Sequence, residues 1–451
     1  MRRLFGTDGV RGIANQELTP TLAMQIGAAA ATVLSKGNQK DKRVVLGMDT
    51  RISSRMLASA LSAGLCSAGV SVLDLGVVPT PAVAYLVGKY GAMAGVMISA
   101  SHNPYDYNGI KVFGGGGFKL PDALEEEIES IVLDDPPAPA VADAEKIGRI
   151  AYVKKGAEDY VEHLLGTAAE SLAGLRIAID CANGAASRTA ERLFTALGAE
   201  CHMLADAPDG ININRGCGST HLEALSRHVL AHHMDCGIAF DGDADRCLAV
   251  DENGREVDGD IIMAILSKDM KERGVLAKNT VVGTVMSNYG FGKFCEDHGL
   301  QFIAAKVGDR YVLEQMQAGG YSFGGEQSGH LIFRDYAATG DGQLTAVQLL
   351  SHMSRCKQRL SILASVMKKY PQHTVNLRVS PAAKLAFYTD STVKEILTEA
   401  EGKMNGNGRI LVRPSGTEPL LRVMAEGEEE AFVRRLAEEV AERMKEVLSV
   451  Y

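Results

Sequence analysis

The chain has no surplus of positive charge: 47 Lys and Arg stand against 56 Asp and Glu, a formal net charge of −9. No basic cluster resembles a phosphate-backbone footprint, so nucleic acid is not an expected partner. An acidic protein that binds anionic ligands must concentrate its cations locally. Paired cysteines are also missing. The eight cysteines are scattered singly with no C-x-x-C pair, which in 451 residues points to reduced thiols in a cytosol. His232, His233 and Cys236 lie close in sequence but read as a helix end running into a strand, not as a zinc site. No apolar run is long enough for a bilayer, since the alanine-rich stretch Ile26 to Leu34 falls well short of the roughly 20 residues required. MRRLFGTDGV carries no apolar signal-peptide core. A cytoplasmic protein with no membrane partner is expected.

What is present is ordinary globular material, 46% apolar and 23% charged. Its length predicts about three or four domains. Strand-like and helix-like stretches alternate: helix Thr19 to Ser35, strand Arg43 to Asp49, helix Ser53 to Ala68, strand Val70 to Leu75, then an apolar strand Ala94 to Ala100. Such alternation predicts parallel βαβ units. The run Gly114 to Gly117 lacks the Gly-Lys-Ser/Thr ending of a P-loop and the spacing of a dinucleotide fingerprint, and reads as a hairpin or loop tip. The acidic Pro/Ala stretch 134–145 reads as a linker, with a boundary near residue 150.

The alternation restarts with strand Leu175 to Asp180, helix Ala185 to Leu197, strand Ala199 to Leu204, helix Leu222 to His232 and strand Cys236 to Phe240. It repeats from Asp260 with strand Thr280 to Val285, helix Phe291 to His298, strand Gln301 to Ala304 and a helix from Arg310. The last stretch reads as strand Thr374 to Val379, helix Ala382 to Ala400, strands Arg409 to Arg413 and Leu420 to Ala425, and a charged helix from Glu428. The expected fold is therefore α/β: three similar mixed α/β domains in series (1–150, 151–254, 255–368) and a smaller C-terminal α+β domain (369–451).

Four loops carry chemistry. In ISASHNPYDYNGIKVF, a buried strand delivers Ser101 into a turn with His102, Asn103 and Pro104. In DGDADR, Asp241, Asp243 and Asp245 alternate between two apolar strand-like runs and supply the oxygen ligands that a hard cation such as Mg²⁺ requires. Extended backbone would set alternate residues about 6.8 Å apart, too far for ligands each about 2.1 Å from one ion. The loop must curl, and Gly242 and Ala244 leave room for it. An EF-hand is excluded, because Arg246 replaces the glycine at the sixth position. GGEQSGH places Glu326, Ser328 and His330 in a glycine-framed turn suited to sugar hydroxyls. RPSGTEP sets Arg413, Ser415 and Thr417 around Gly416, a group that suits a phosphate. Together they describe a cleft for a phosphosugar. Arg11, in FGTDGVRG, is a cation held among turn residues that could reach such a cleft.

ASHNP, DGDADR, GEQSGH and RPSGTEP, in this order across nearly the whole chain, resemble the α-D-phosphohexomutase superfamily. FGTDGVRG, Ala244 and Gln327 resemble its bacterial phosphoglucosamine mutases, where the phosphomannomutase/phosphoglucomutase branch carries glycine and methionine at the last two. The resemblance implies four domains around a central cleft, one loop from each. It implies that Ser101 is a phosphoserine that donates its phosphoryl group to glucosamine 6-phosphate. The sugar 1,6-bisphosphate, also the activator, reorients and returns its other phosphate, releasing glucosamine 1-phosphate towards UDP-N-acetylglucosamine and peptidoglycan. Mg²⁺ would be held by Ser101, Asp241, Asp243 and Asp245. Three aspartates, a phosphoserine of about −2 and one Mg²⁺ leave about −3 near the ion, which Arg246, Lys111 and Arg11 are available to offset. Lys111, ten residues after the serine, matches the family's candidate acid or base. His330 and Arg11 match positions that move protons or hold substrate, and His102 is expected to hydrogen-bond in the serine loop. Lys306 and Asp309 match the substrate loop of the third domain, and Arg413, Ser415, Gly416 and Thr417 the phosphate clamp. A homodimer is the expected assembly. A phosphomannomutase/phosphoglucomutase, a serine-nucleophile metallophosphatase and a non-catalytic sugar-phosphate binder remain as alternatives.

Overall fold

Short β-branched runs alternating with amphipathic helices build three sheets in the first of two units of this computed structural model, which describes residues 4–6, 8–36, 42–134, 141–415 and 419–451. That unit comprises Met1–Met286 and Leu300–Val366, and the second comprises Ser287–Gly299 and Met367–Tyr451.

The first sheet holds β1 (Val10–Ile13), β2 (Arg43–Met48), β3 (Ser71–Val77), β4 (Ala94–Ile98), β5 (Tyr107–Gly114) and β6 (Ile150–Tyr152), in the order β1-β5-β4-β2-β3-β6. β4 is wholly apolar because it is buried between parallel β2 and antiparallel β5. Leu46, Val72, Val96 and Ile110 share one core with Ile26, Leu57 and Leu61 of the helices Pro20–Leu34 and Ser54–Ser67. The register sets Met97 opposite Lys111, carrying a lysine into the middle of the sheet just beyond the serine loop. Gly114 to Gly117 form the tip of a hairpin closed by a bridge between Phe113 and Lys119. Strand β6 pairs with β3, so the chain stays with this sheet past residue 150.

The second sheet joins β7 (Arg176–Asp180), β8 (Glu200–Leu204), β9 (Cys236–Phe240), β10 (Cys247–Asp251) and β11 (Glu256–Val257), in the order β11-β10-β9-β7-β8. β9 and β10 form an antiparallel pair with Phe240 opposite Cys247, and DGDADR is their connection. The helix expected over Ala185 to Leu197 is broken. A 3₁₀ turn, Ala185–Arg188, is separated from the α-helix Ala190–Ala196 by Thr189 at φ −133°. The amide of Ala185 donates to the Gly242 carbonyl at 2.8 Å, which ties the turn to the acidic loop. The third sheet runs β13-β12-β14-β15, with β12 (Thr280–Thr284), β13 (Gln301–Ala305), β14 (Phe323–Gly325) and β15 (Leu331–Phe333). GEQSGH makes the turn from β14 to β15.

The second unit is an antiparallel sheet of β16 (Gln372–Arg378), β17 (Gly408–Pro414) and β18 (Leu420–Gly427), in the order β16-β18-β17. The single helix expected over Ala382 to Ala400 is two, Pro381–Thr389 and Ser391–Met404. Asp390 between them is extended and its carboxylate accepts from the amides of Thr392 and Val393, which starts a new helix. The helix Tyr289–Asp297, third-stretch by sequence order, packs in this unit. Asn288 Nδ2 donates to Tyr370 O at 3.0 Å and to Glu426 Oε1 at 3.2 Å, and Tyr289 OH donates to Gly406 O at 2.7 Å. All eight cysteines are free. Among the described residues no helix is long and apolar enough to cross a membrane.

Candidate active site

Ser101 is buried, 1% exposed, and takes the left-handed conformation at φ 53°. A non-glycine residue holds that conformation only when its surroundings fix it. Arg51, fully buried and paired with Asp49 at 2.9 Å, supplies the restraint. Its guanidinium donates to the carbonyls of Ser101 (2.8 Å), Asn103 (2.9 and 3.0 Å) and Pro104 (2.6 Å). Asn214 Nδ2 adds donations to Ser101 O and Asn103 O, both at 2.9 Å. The serine loop is thus held by its carbonyls, leaving the hydroxyl to the site.

That hydroxyl donates to Asp241 Oδ2 at 2.6 Å. The curl expected of DGDADR is made by Ala244 at φ 57°, and it brings one oxygen each of Asp241, Asp243 and Asp245 within 4.8 Å of one another. Gly242 serves a different end from the one its sequence position suggests. A Cβ there would lie 2.6 Å from the Ser101 carbonyl and 2.9 Å from Asn214 Nδ2, so the missing side chain lets the serine and acidic loops meet. Thr80, at the start of the helix Thr80–Lys89, grips Asp243 twice: its amide donates to Asp243 O at 2.9 Å and its hydroxyl to Asp243 Oδ2 at 2.6 Å.

From these carboxylates an alternating chain of charge crosses all three sheets of the unit. Lys111 Nζ lies 2.9 Å from Asp243 Oδ2, 3.2 Å from Asp245 Oδ2 and 3.1 Å from Asp8 Oδ2. Asp8 also pairs with Arg11 and, at 2.7 Å, with Lys119. Lys119 reaches Asp309 Oδ2 at 2.6 Å, and His330 Nε2 stands 3.6 Å from the same oxygen. Burial works against every charge here, and neighbours decide the outcome. Burial first, then repulsion from Asp245 and Asp243, pushes the Asp241 carboxyl well up. Asp245 is lowered despite burial by Lys111, His330 and Arg246, and Asp8 by Lys111, Lys119 and Arg11. Lys111 is raised despite burial by Asp243, Asp8 and Asp245, so it is an ammonium. Burial, then Arg246 and Arg11, pushes the His102 imidazole down to about 4. His102 Nδ1 contacts Arg246 Nη1 at 3.2 Å, so its partner lies in the acidic loop, not the serine loop.

The sugar-loop residues are placed less uniformly. Glu326 Oε1 accepts from the Gly308 amide at 3.1 Å, joining GEQSGH to the Lys306–Asp309 loop. Ser328 and Lys306 are exposed, with the Lys306 ammonium 5.8 Å from the Tyr311 ring. In the second unit, Arg413 stands directly opposite Arg422 between β17 and β18. Burial, then that like charge, lowers its pKa. Like charges directly opposite one another on neighbouring strands repel. The Ser415 amide donates to Leu420 O at 2.8 Å; Gly416 and Thr417 lie outside the described residues.

Asp8, Arg51, Thr80, Lys119 and Asn214 escaped the sequence reading. Only Asp8, inside FGTDGVRG, and Thr80, in the Pro-Thr-Pro after β3, carried a local signal.

The aspartate cluster fits a hard divalent cation. Octahedral Mg²⁺ with oxygens about 2.1 Å away spaces its ligands roughly 3 to 4 Å apart, compatible with the 4.8 Å limit on the three oxygens. Asp243 Oδ1 and Asp245 Oδ1 are buried without a hydrogen-bond donor, as an ion needs them. Arg11 Nε, Arg246 Nε and His330 Nδ1 are likewise buried without a partner, hydrogen-bonding capacity that a phosphoryl oxygen or sugar hydroxyl would satisfy.

Known proteins share this arrangement of chain. Residues 2–137, 158–254 and 258–370 match the alpha/beta/alpha domains I, II and III of phosphoglucomutase/phosphomannomutase, and 375–443 match its C-terminal domain. The phosphoglucosamine mutase of Caldanaerobacter subterraneus subsp. tengcongensis is 54% identical over 449 residues, 100% of both chains. That of Acetivibrio thermocellus is 50% identical over 448 residues, 99% of this chain and 100% of the relative. A phosphoglucomutase/phosphomannomutase family protein from Burkholderia thailandensis shares the fold at TM-score 0.83 and 24% identity, over 98% of this chain and 97% of its own. So does Aspergillus fumigatus N-acetylphosphoglucosamine mutase, solved with GlcNAc-6P and magnesium, at TM-score 0.71 and 16% identity over 99% and 96%. With four domain matches in order and half its residues shared with full-length relatives, the chain belongs to the phosphoglucomutase/phosphomannomutase family of isomerases, alongside its phosphoglucosamine mutases.

Proposed function

We propose that the protein interconverts glucosamine 6-phosphate and glucosamine 1-phosphate through a phosphoserine at Ser101, on the route to UDP-N-acetylglucosamine. The observation that carries this reading is the buried Ser101 hydroxyl on Asp241, the first of three clustered carboxylates. The amino sugar is taken from the names of the half-identical relatives.

In the first transfer the phosphorus–Oγ bond of Ser101 breaks and a bond forms to the C1 hydroxyl oxygen of glucosamine 6-phosphate. That hydroxyl gives up its proton, and Ser101 Oγ takes one. After the 1,6-bisphosphate turns round, the phosphorus–O6 bond breaks, Ser101 is rephosphorylated and O6 takes the proton. Asp241, Asp243, Asp245 and Ser101 would hold Mg²⁺, which when bound spreads the charge of the transferring group. The Lys111 ammonium, held by Asp243, donates towards the phosphoryl oxygens and is a proton source for the departing serine oxygen. Arg246, oriented by His102, and Arg11 offset the remaining negative charge. Glu326, Ser328, His330, Lys306 and Asp309 bind the sugar. The loop of Arg413, Ser415, Gly416 and Thr417 binds a phosphate. The domains proposed are 1–150, 151–254, 255–368 and 369–451, in a cytoplasmic homodimer.

The test is kcat/KM with Mg²⁺ and a trace of sugar bisphosphate on glucosamine, glucose and mannose phosphates. A preference of about tenfold or more for the amino sugar, roughly 1.4 kcal/mol in the transition state, is expected. A preference for glucose or mannose overturns the substrate. Intact mass separates the remaining readings, since one phosphate that disappears in Ser101→Ala is expected of a mutase. Its absence, or steady release of inorganic phosphate, overturns the phosphoserine cycle.

A further inference from the structure

Lys119 closes the glycine hairpin that follows β5 and belongs to none of the four motif loops. Its ammonium lies between two carboxylates from distant parts of the chain, 2.7 Å from Asp8 Oδ1 and 2.6 Å from Asp309 Oδ2, and its side chain is 14% exposed. Each carboxylate has its own connections in the cleft. Asp8 also holds Arg11 and, at 3.1 Å, the Lys111 ammonium. Asp309 opens the helix Asp309–Gly319, and the Gly308 amide just before it donates to Glu326 Oε1 at 3.1 Å.

Asp309 has little left to offer a ligand directly. Its Oδ1 accepts from the Arg310 amide at 2.8 Å, and its Oδ2 is shared by Lys119 and, at 3.6 Å, by His330 Nε2. A contact of that length is of the kind that tightens into a hydrogen bond once substrate is seated. Burial works against the Asp309 carboxylate; Lys119 and then His330 outweigh it, while Asp8 repels. Without the ammonium, Asp8 and Asp309 would meet as like charges in a place largely shielded from water. The backbone of this turn has a separate anchor. Arg310 donates to Leu120 O and, at 3.3 Å, to Glu125 Oε2, so the third sheet's loop stays on the first domain whatever stands at 119. What depends on Lys119 is the Asp309 side chain.

We propose that Lys119 is a positioning residue for the sugar: it anchors the Asp309 carboxylate against His330 and the GEQSGH turn, and so holds the sugar-binding groups in register with Arg11 and Lys111. This role presupposes the phosphosugar cleft proposed above. Asp309 then serves the sugar through His330 and Glu326 rather than by touching it.

Two measurements test the role, both with Mg²⁺ present: calorimetric binding of glucosamine 6-phosphate in a Ser101→Ala background, where no phosphoryl group can move, and steady-state turnover with Ser101 in place. Lys119→Gln keeps N–H donors but no charge, and should weaken binding and raise KM by at least about tenfold with kcat within about threefold. Lys119→Arg, whose planar fork can span two carboxylates, should stay within about threefold of wild type in both. Asp309→Asn alone should reproduce the loss, which reads the same contact even if Lys119→Gln does not fold. Because the lysine acts through Asp309, adding Lys119→Gln to Asp309→Asn should change binding by less than about threefold. Equal losses in the glutamine and arginine variants, normal binding in Asp309→Asn, a fall in kcat at unchanged KM, or losses that multiply in the double variant overturn the role. A wild-type chain that binds the sugar phosphate without converting it overturns the phosphoserine cycle, and the binding comparison still decides for or against Lys119; a chain that binds no sugar phosphate overturns both.

Discussion

The ammonium of Lys111 and the carboxylate of Asp243 stand 2.9 Å apart with side chains 2% and 0% exposed. Their pairing joins β5 of the first sheet to the acidic loop of the second. In Lys111→Met, Asp243 and Asp245 would be left buried, and Asp8 half-buried, around an apolar side chain. Breaking a buried pair in this way costs about 3–5 kcal/mol. The variant should unfold much earlier than wild type in EDTA, with part of the gap closed by Mg²⁺, and turnover should fall by at least about a hundredfold. Denaturant titrations with and without Mg²⁺ decide the matter. Equal stability in EDTA would show that the pair contributes nothing.

Thr80 acts one step further out. Its hydroxyl donates to Asp243 Oδ2 at 2.6 Å and its amide to Asp243 O at 2.9 Å, and only the first bond depends on the side chain. Thr80→Val keeps the shape and the amide bond. Outer partners of metal ligands contribute about 10–100-fold in metal affinity. The Mg²⁺ concentration for half-maximal activity should therefore rise by about that factor, while kcat at saturating Mg²⁺ changes less than about threefold. Loss of kcat with unchanged Mg²⁺ dependence would contradict this role.

These two cases show how far the chain could be read before folding. Asp241, Asp243 and Asp245 were legible because all three ligands lie in six consecutive residues between two apolar strands. Ser101 was legible because a fully apolar strand ends at it. Thr80 and Lys119 were not, since each matters through a partner 163 and 190 residues away. The helix breaks at Thr189 and Asp390 were hidden because no glycine or proline marks either; at the second, a capping carboxylate starts the new helix.

Arg51 tests whether the left-handed serine depends on its carbonyl clamp. Lysine offers one compact donor where arginine's planar fork reaches three carbonyls. In Arg51→Lys, the carbonyls of Ser101 and Asn103 keep Asn214 and that of Pro104 keeps the Tyr107 amide, but the charged fork that joins all three is lost. Unfolding free energy should drop by about 2–4 kcal/mol, from charge-assisted hydrogen bonds lost to those carbonyls. Rate should fall more than binding, with kcat down at least about tenfold and KM within about threefold, because the serine rather than the substrate is displaced. Steady-state kinetics on the folded variant checks this split. A rise in KM alone would place Arg51 with substrate binding instead.

Asp341 gives the protein a pH dependence of known sign. Its carboxylate caps the helix Gly342–Cys356 through the Leu344 amide at 2.9 Å and accepts from Tyr160 OH at 2.8 and 2.9 Å. Burial, which outweighs those bonds, pushes its pKa up to about 6. An unfolded Asp releases its proton near 3.9. Between about 3.9 and about 6 the folded chain therefore holds more protons than the unfolded one. Stability falls as pH rises through that window, and the cost persists above it. Asp341→Asn keeps a carbonyl oxygen for Leu344, lets the Tyr160 oxygen accept from the new amide, and removes the charge. In EDTA, which keeps cations out of the neighbouring aspartate cluster, the variant should be more stable than wild type at pH 8 by about 1–3 kcal/mol. The two should converge towards pH 4. Denaturation at pH 4, 6 and 8 measures this directly, and a variant less stable than wild type at pH 8 would show that the ionised carboxylate, not the protonated one, is the form the fold prefers.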